Sequence, residues 1–372
     1  MQDDFNPFPI YNYVSKEYFC DREDDLKRLR KAMANQRNVR LISLRKLGKS
    51  ALLHHFFKNQ RKYVTVYLDI YRIRSEEEFI QKLVEEVVNQ IGRPGPGLMK
   101  RILETMRSID LNVGFDEVTG LPRFGVSVRP TPSRDVTMRE LFQFLDQQKK
   151  VVIIAIDEFQ QVMEFSDGRT DALLREYIQQ SKNIRFIFSG SDQRMMAMLF
   201  SDHKRPFYQS TEPIHLDYID QRVYNDFIRG HFQSAEREIA PEVIDRGLTW
   251  ARCHTYYVQF LFNRLYGLGL KKYEESDLLQ VRNSILREHG SEFKALTKLL
   301  SPHQAKLLLA IAKAGNVDVP TRSSFIREHG LSAVSTVRQA LGVLEDKELI
   351  HRNESGYMVT NVFLSRWLES DI

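Results

Sequence analysis

The stretch SLRKLGKSALL, residues 43–53, decides how this chain is read. Gly48, Lys49 and Ser50 stand where the phosphate-loop pattern G-x-x-x-x-G-K-[ST] asks for Gly, Lys and Ser/Thr. The first glycine of that pattern falls on position 43, which is serine. Context decides between a nucleotide loop and a chance tripeptide. NVRLISL (38–44) precedes the loop and has the β-branched, apolar character of a buried strand. After it, Leu52, Leu53, Phe56 and Phe57 fall on one helical face. A strand, a Gly-Lys-Ser turn and a helix are the setting in which backbone N–H groups receive phosphates.

The alternation continues outward. YVTVYLDI (63–70) reads as a strand, and SEEEFIQKLVEEVVNQI (75–91) as an amphipathic helix capped by Ser75. RPGPG (93–97) breaks it, and residues 110–130 read as an inserted hairpin around a Thr-Gly turn. A helix is expected at 137–148, a wholly apolar strand at 151–159 and a helix near 171–181. The strand IRFIFSGS (184–191), a short helix and PIHLDYI (213–219) follow. Near-continuous apolar strands separated by helices predict a parallel sheet covered on both faces. From Asp220 onward no strand pattern is read until the C-terminal hairpin, and residues 221–290 read as helices. Residues 301–368 hold three helices, then two short strands around Asn-Glu-Ser-Gly, the pattern of a winged helix. The expected domains are an α/β core at 1–219, a helical lid at 220–296 and a winged helix at 297–372.

Composition sets the remaining bounds. The chain has 372 residues, 42% hydrophobic and 28% charged, with 54 Lys+Arg against 49 Asp+Glu. No apolar run is long enough to span a bilayer, and the N-terminus does not read as a secretory signal. The two cysteines, Cys20 and Cys253, suit neither a disulfide framework nor a zinc cluster. The reading is a cytoplasmic protein without membrane partners. A net charge of +5 does not argue for nucleic acid by itself.

The candidate cradle is Arg45, Lys46, Leu47, Gly48, Lys49, Ser50 and Ala51. Lys49 would neutralise the outer phosphates, and the Ser50 hydroxyl would bind Mg²⁺. Arg45 and Lys46 add positive charge, or are simply solvated. Asp157 and Glu158 close an apolar strand, where ligands sit in an open parallel sheet. Asp157 would hold Mg²⁺ with Ser50, and Glu158 would orient and deprotonate the attacking water. An ordinary acidic turn is the plain alternative. Ser191, after the strand IRFIFSG, could aim a hydroxyl at the γ-phosphate or that water.

The order of these pieces resembles the archaeal-ATPase-type family of P-loop NTPases, in the AAA+/STAND group. The resemblance rests on YFCDRE (18–23), SLRKLGKS, IIAIDEF, FIFSGS, RPFYQSTEPIHLDYI (205–219), HTYYVQFL (254–261) and the winged helix. It implies an ATP/ADP-binding, Mg²⁺-dependent core with a lid and a winged helix. By position it places Phe19 and Arg22 beside the adenine, and His254, Thr255 and Tyr256 where the lid approaches the nucleotide. Cys253-His254-Thr255 replaces the family's G-x-P, and Gln209-Ser210 replaces its Gly-Arg after PFY. Arg205, or else Arg194, would have to supply the transition-state cation. The function expected is a slow nucleotide-dependent switch, completed by a protein partner or self-association. DNA binding through the winged helix ranks second, and a protein-interaction module with a decayed site ranks last, because Lys49, Ser50, Asp157 and Glu158 are all present. Residues 297–372 carry nine Lys/Arg against eight Asp/Glu, a weak phosphate footprint.

Overall fold

The computed structural model describes residues 5–370 apart from 59, 92–101, 103, 116–121, 129–133 and 167–169. The chain divides into two compact units, Asn12–Tyr218 and Met1–Tyr11 with Ile219–Ile372.

The first unit is built on a five-stranded parallel sheet of order β2-β5-β6-β1-β7. The strands are β1 (Val39–Ile42), β2 (Val64–Asp69), β5 (Val152–Asp157), β6 (Ile184–Gly190) and β7 (Glu212–His215). Every residue of β5 and β6 is buried, which explains their unbroken apolar sequence: both faces of the sheet are covered. Alternate side chains serve opposite faces. Val152, Ile154 and Ile156 join one core with Phe186 and Phe188, while Ile153, Ala155 and Ile187 join the other with Val39 and Leu41.

Helix α1 (Glu23–Ala34) precedes β1, and α2 (Lys49–Lys58) follows the phosphate loop. Helix α3 (Glu76–Ile91) is capped where the sequence suggests, with Glu78 N–H donating to Ser75 Oγ at 3.2 Å. Strands β3 (Ile109–Phe115) and β4 (Pro122–Val128) pair antiparallel as the inserted hairpin. The Thr-Gly turn between them and the RPGPG breaker lie outside the described residues.

The second unit is mainly helical. Helices Gln221–Ser234, Pro241–Trp250, Thr255–Tyr266 and Glu275–Lys298 come first. Two differences from the sequence reading appear here. Glu238–Ile239 and Lys272–Tyr273 pair as two-residue parallel strands, β8 and β9. Two residues carry no periodicity, so no sequence pattern marks them. After the winged helix's three helices and the hairpin β10 (Ile350–Asn353) and β11 (Gly356–Val359), a further helix runs over Val362–Glu369. Its Asn361 side chain caps Leu364 N–H at 3.1 Å, and Phe363 packs against Trp250, Tyr257 and Phe260. The N-terminal segment also belongs to this unit. Phe8 is fully buried among Phe227, Phe232, Phe262 and Tyr266. Asn6 Nδ2 donates to Asn263 O at 2.8 Å, and Asn263 Nδ2 donates to Phe8 O at 2.9 Å.

Candidate nucleotide site

The loop after β1 has two residues in the left-handed region, Lys46 (φ 62°) and Gly48 (φ 100°). Position 43 is not among them. The backbone therefore needs a glycine at 48, and serine is tolerated at 43. The Ser43 hydroxyl has a role of its own. It is 2% exposed, donates to Leu44 O at 2.8 Å and accepts from Lys49 Nζ at 3.3 Å. Lys49 is buried at the start of α2. Burial pushes its ammonium below the usual lysine range; the Glu158 and Asp157 carboxylates oppose that shift, and the Arg45 guanidinium adds to it.

Asp157 ends β5 and is 2% exposed. Its Oδ2 accepts from Ser50 Oγ at 2.5 Å and from Tyr67 OH at 2.7 Å, while Oδ1 accepts from Glu158 N–H at 3.1 Å. Tyr67 lies on β2, the strand paired with β5. Burial first, and then the Asp157 charge, push its phenol well above the usual tyrosine range. His54 lies 4.3 Å from the Tyr67 ring, and burial pushes its imidazole down against the pull of Asp157.

Glu158 sits in the left-handed region at φ 54°. A non-glycine residue there costs about 1–3 kcal/mol, and such strain gathers at functional sites. Its Oε2 accepts from Gln160 Nε2 at 2.5 Å and from Ser191 Oγ at 2.8 Å. The sheet thus brings a buried lysine, a hydroxyl–carboxylate pair and a second, held carboxylate to the carboxyl ends of β1, β5 and β6. Open parallel sheets bind their ligands at that edge.

Comparison with known proteins agrees with this geometry. A family described as "ATPase domain predominantly from Archaea" matches residues 19–252. The chain belongs to that family of ATPase domains. A second family, "Probable winged helix domain", matches residues 291–370. No curated protein matches the chain. Among solved structures it is similar to the Walker-type ATPase of Pyrococcus abyssi, at 18% identity and TM-score 0.70, over 97% of this chain and 99% of that one. It is also similar to the Aeropyrum pernix ORC1 protein solved in complex with DNA, at 13% identity and TM-score 0.52, over 100% and 97%. The ORC2 protein of the same organism, solved as ADPNP–ADP complexes, aligns at 12% identity and TM-score 0.53, over 99% and 98%. At these identities the likeness is one of fold: a P-loop ATPase-like core with a C-terminal winged helix.

Within the ATPase domain the expected residues have distinct places. Leu47 is buried, and its carbonyl accepts from Arg22 Nη2 at 3.0 Å. Arg45 lies 6.0 Å from the Tyr71 ring. Burial and the Arg45 charge lower the Lys46 ammonium. Ala51 lies in the first turn of α2, where Leu52 N–H bonds Gly48 O at 2.9 Å. Phe19 stacks on the His55 ring at 4.4 Å, and Tyr13 OH meets His55 Nδ1 at 3.1 Å. Arg205 pairs with the buried Asp171 carboxylate at 3.3 Å. Arg194 lies in the first turn of the helix Gln193–Ser201. His254 belongs to the second unit, where it is buried before the helix Thr255–Tyr266 with its ring 4.7 Å from Tyr257.

Sequence reasoning missed Tyr67, Gln160 and the Ser43 hydroxyl. Tyr67 could have been found. A half-buried tyrosine on a sheet strand favours a partner for its hydroxyl, and the end of the neighbouring strand offers Asp157.

Proposed function

We propose that this ATPase domain binds ATP with Mg²⁺ and acts as a slow nucleotide-dependent switch with a winged-helix output. The observation that carries the reading is the Ser50–Asp157 hydrogen bond beside the buried Lys49. A hard cation takes oxygen donors, and Mg²⁺ is usually held by one or two carboxylates plus substrate phosphates. The Ser50 hydroxyl and Asp157 carboxylate fit that donor set. When bound, the metal would neutralise charge developing on the phosphates. Lys49 would meet the outer phosphates, backbone N–H groups of Gly48 to Ala51 would cradle them, and Glu158 would take the proton of the attacking water. Gln160 and Ser191 hold that carboxylate in place.

Slow turnover follows from the cations. The Arg205 guanidinium is already matched by Asp171, and Gln209 and Ser210 carry no charge. The transition-state cation would then come from Arg205 on breaking that pair, from Arg194, or from a neighbouring chain. Steady-state hydrolysis across a dilution series tests this. The rate per chain should lie well below the ~1–10³ s⁻¹ of typical enzymes and, where a neighbouring chain supplies the cation, rise with protein concentration. Fast, concentration-independent hydrolysis by a monomer would overturn the switch reading.

A second reading has one observation in its favour. In the winged helix, Ser335, Arg338 and Gln339 are exposed on the helix Val334–Asp346, where a reading helix offers groups to base edges. The near-balanced charge of this region ranks it second. A steep salt-dependent shift of labelled duplex DNA would put DNA first.

A further inference from the structure

Arg22 does more than begin α1. It and Asp21 are consecutive left-handed residues, at φ 71° and 55°. Each costs about 1–2 kcal/mol relative to the right-handed form. The side chain makes no helix cap. It turns inward instead and is 7% exposed. Nη2 donates to Leu47 O at 3.0 Å, and Nη1 donates to Asp217 O at 2.5 Å. Asp25 Oδ2 sits 3.5 Å from Nη1 and steadies the guanidinium. Leu47 lies between the loop's two left-handed residues, Lys46 and Gly48. Asp217 is the second residue before Ile219, where the chain passes into the other unit.

One planar, rigid fork therefore holds two main-chain carbonyls at a fixed separation. One belongs to the phosphate loop and the other to the connection that leaves the ATPase unit. We infer that Arg22 is a positioning residue that passes the state of the phosphate loop to this connection. The inference rests on the proposed ATP site and adds the route by which occupancy reaches the rest of the chain. Lysine keeps the charge but has a single nitrogen, and cannot span both carbonyls in one plane. A purely structural Arg22 would lower stability without separating the two ends of this link.

Hydrogen–deuterium exchange of the full chain, with and without saturating ATP and Mg²⁺, separates these outcomes. In the wild type, ATP should slow exchange in peptides 43–50 and 216–222 by roughly tenfold, the scale of one charge-assisted hydrogen bond. In Arg22→Lys, at an ATP concentration that restores the wild-type protection of the loop peptide, the 216–222 peptide should lose its own. Asp25→Asn, which leaves the fork in place but loosens it, should give a smaller loss in the same direction. It serves as the readout if Arg22→Lys does not fold. Protection of 216–222 persisting in both variants, or absent in the wild type while the loop is protected, overturns the inference. No protection of the wild-type loop overturns the ATP site itself, and this inference with it.

Discussion

Tyr67→Phe removes one oxygen and leaves the ring. Its hydroxyl donates to Asp157 Oδ2 at 2.7 Å, and Asp157 is 2% exposed. The phenyl ring fills the same volume, so no cavity term enters. What is lost is a part-buried hydrogen bond to a charged group, worth at most about 1.5–3 kcal/mol. Ser50 Oγ and Glu158 N–H remain as donors, which keeps the carboxylate from being stranded. The readout must be local. Trp250 and Trp367 both lie in the other unit, so tryptophan fluorescence does not report on this one. Native-state exchange of the β5 amides does, and it should quicken by roughly tenfold to a hundredfold. The sign with pH follows from the raised phenol. Tyr67 ionises more readily unfolded than folded, so its contribution is whole below the ordinary tyrosine value of 10.0 and falls as pH rises above it. The gap between wild type and variant should be constant from about pH 6 to 9 and change only above about 10. Exchange in β5 within twofold of wild type across that plateau would refute the reasoning.

Other outcomes follow from the same geometry. Glu158→Gln should keep ATP binding and lose roughly 10²–10⁴-fold in single-turnover hydrolysis, the span for loss of a general base; normal turnover would assign the base elsewhere. Phe8→Ala should destabilise the second unit by about 3–5 kcal/mol, since the ring is fully buried in an aromatic cluster. Tryptophan fluorescence (Trp250 and Trp367) in a urea titration reads that loss, and an unchanged midpoint would show that residues 5–8 are not part of this core.

The sheet was legible because burial on both faces forces unbroken apolar runs, as in VIIAID and IRFIFSG. The phosphate loop was legible because Gly48, Lys49 and Ser50 are consecutive and flanked by a strand and a helix. What escaped depends on residues far apart in the chain. Tyr67 reaches Asp157 across 90 positions, and Arg22 reaches Asp217 across 195. Only strand order makes such pairs neighbours. The helix Val362–Glu369 was missed although Asn361 before an apolar run is a capping signal. Ser43 read as a departure from the motif. The backbone there needs no left-handed residue, and the serine hydroxyl becomes a partner for Lys49.

The central claim is that ATP binds at the loop between β1 and α2, and Lys49 tests it most directly. Lys49 is buried beside Ser43, and the proposed role has it meet the outer phosphates. Calorimetric titration of wild type and Lys49→Ala with ATP and Mg²⁺, with folding checked by circular dichroism, compares the two affinities. Loss of one charge-assisted contact, about 1.5–3 kcal/mol, should weaken binding by roughly ten- to a hundredfold. Equal affinity in a folded variant would contradict the assignment and place the nucleotide, if one binds, at another site.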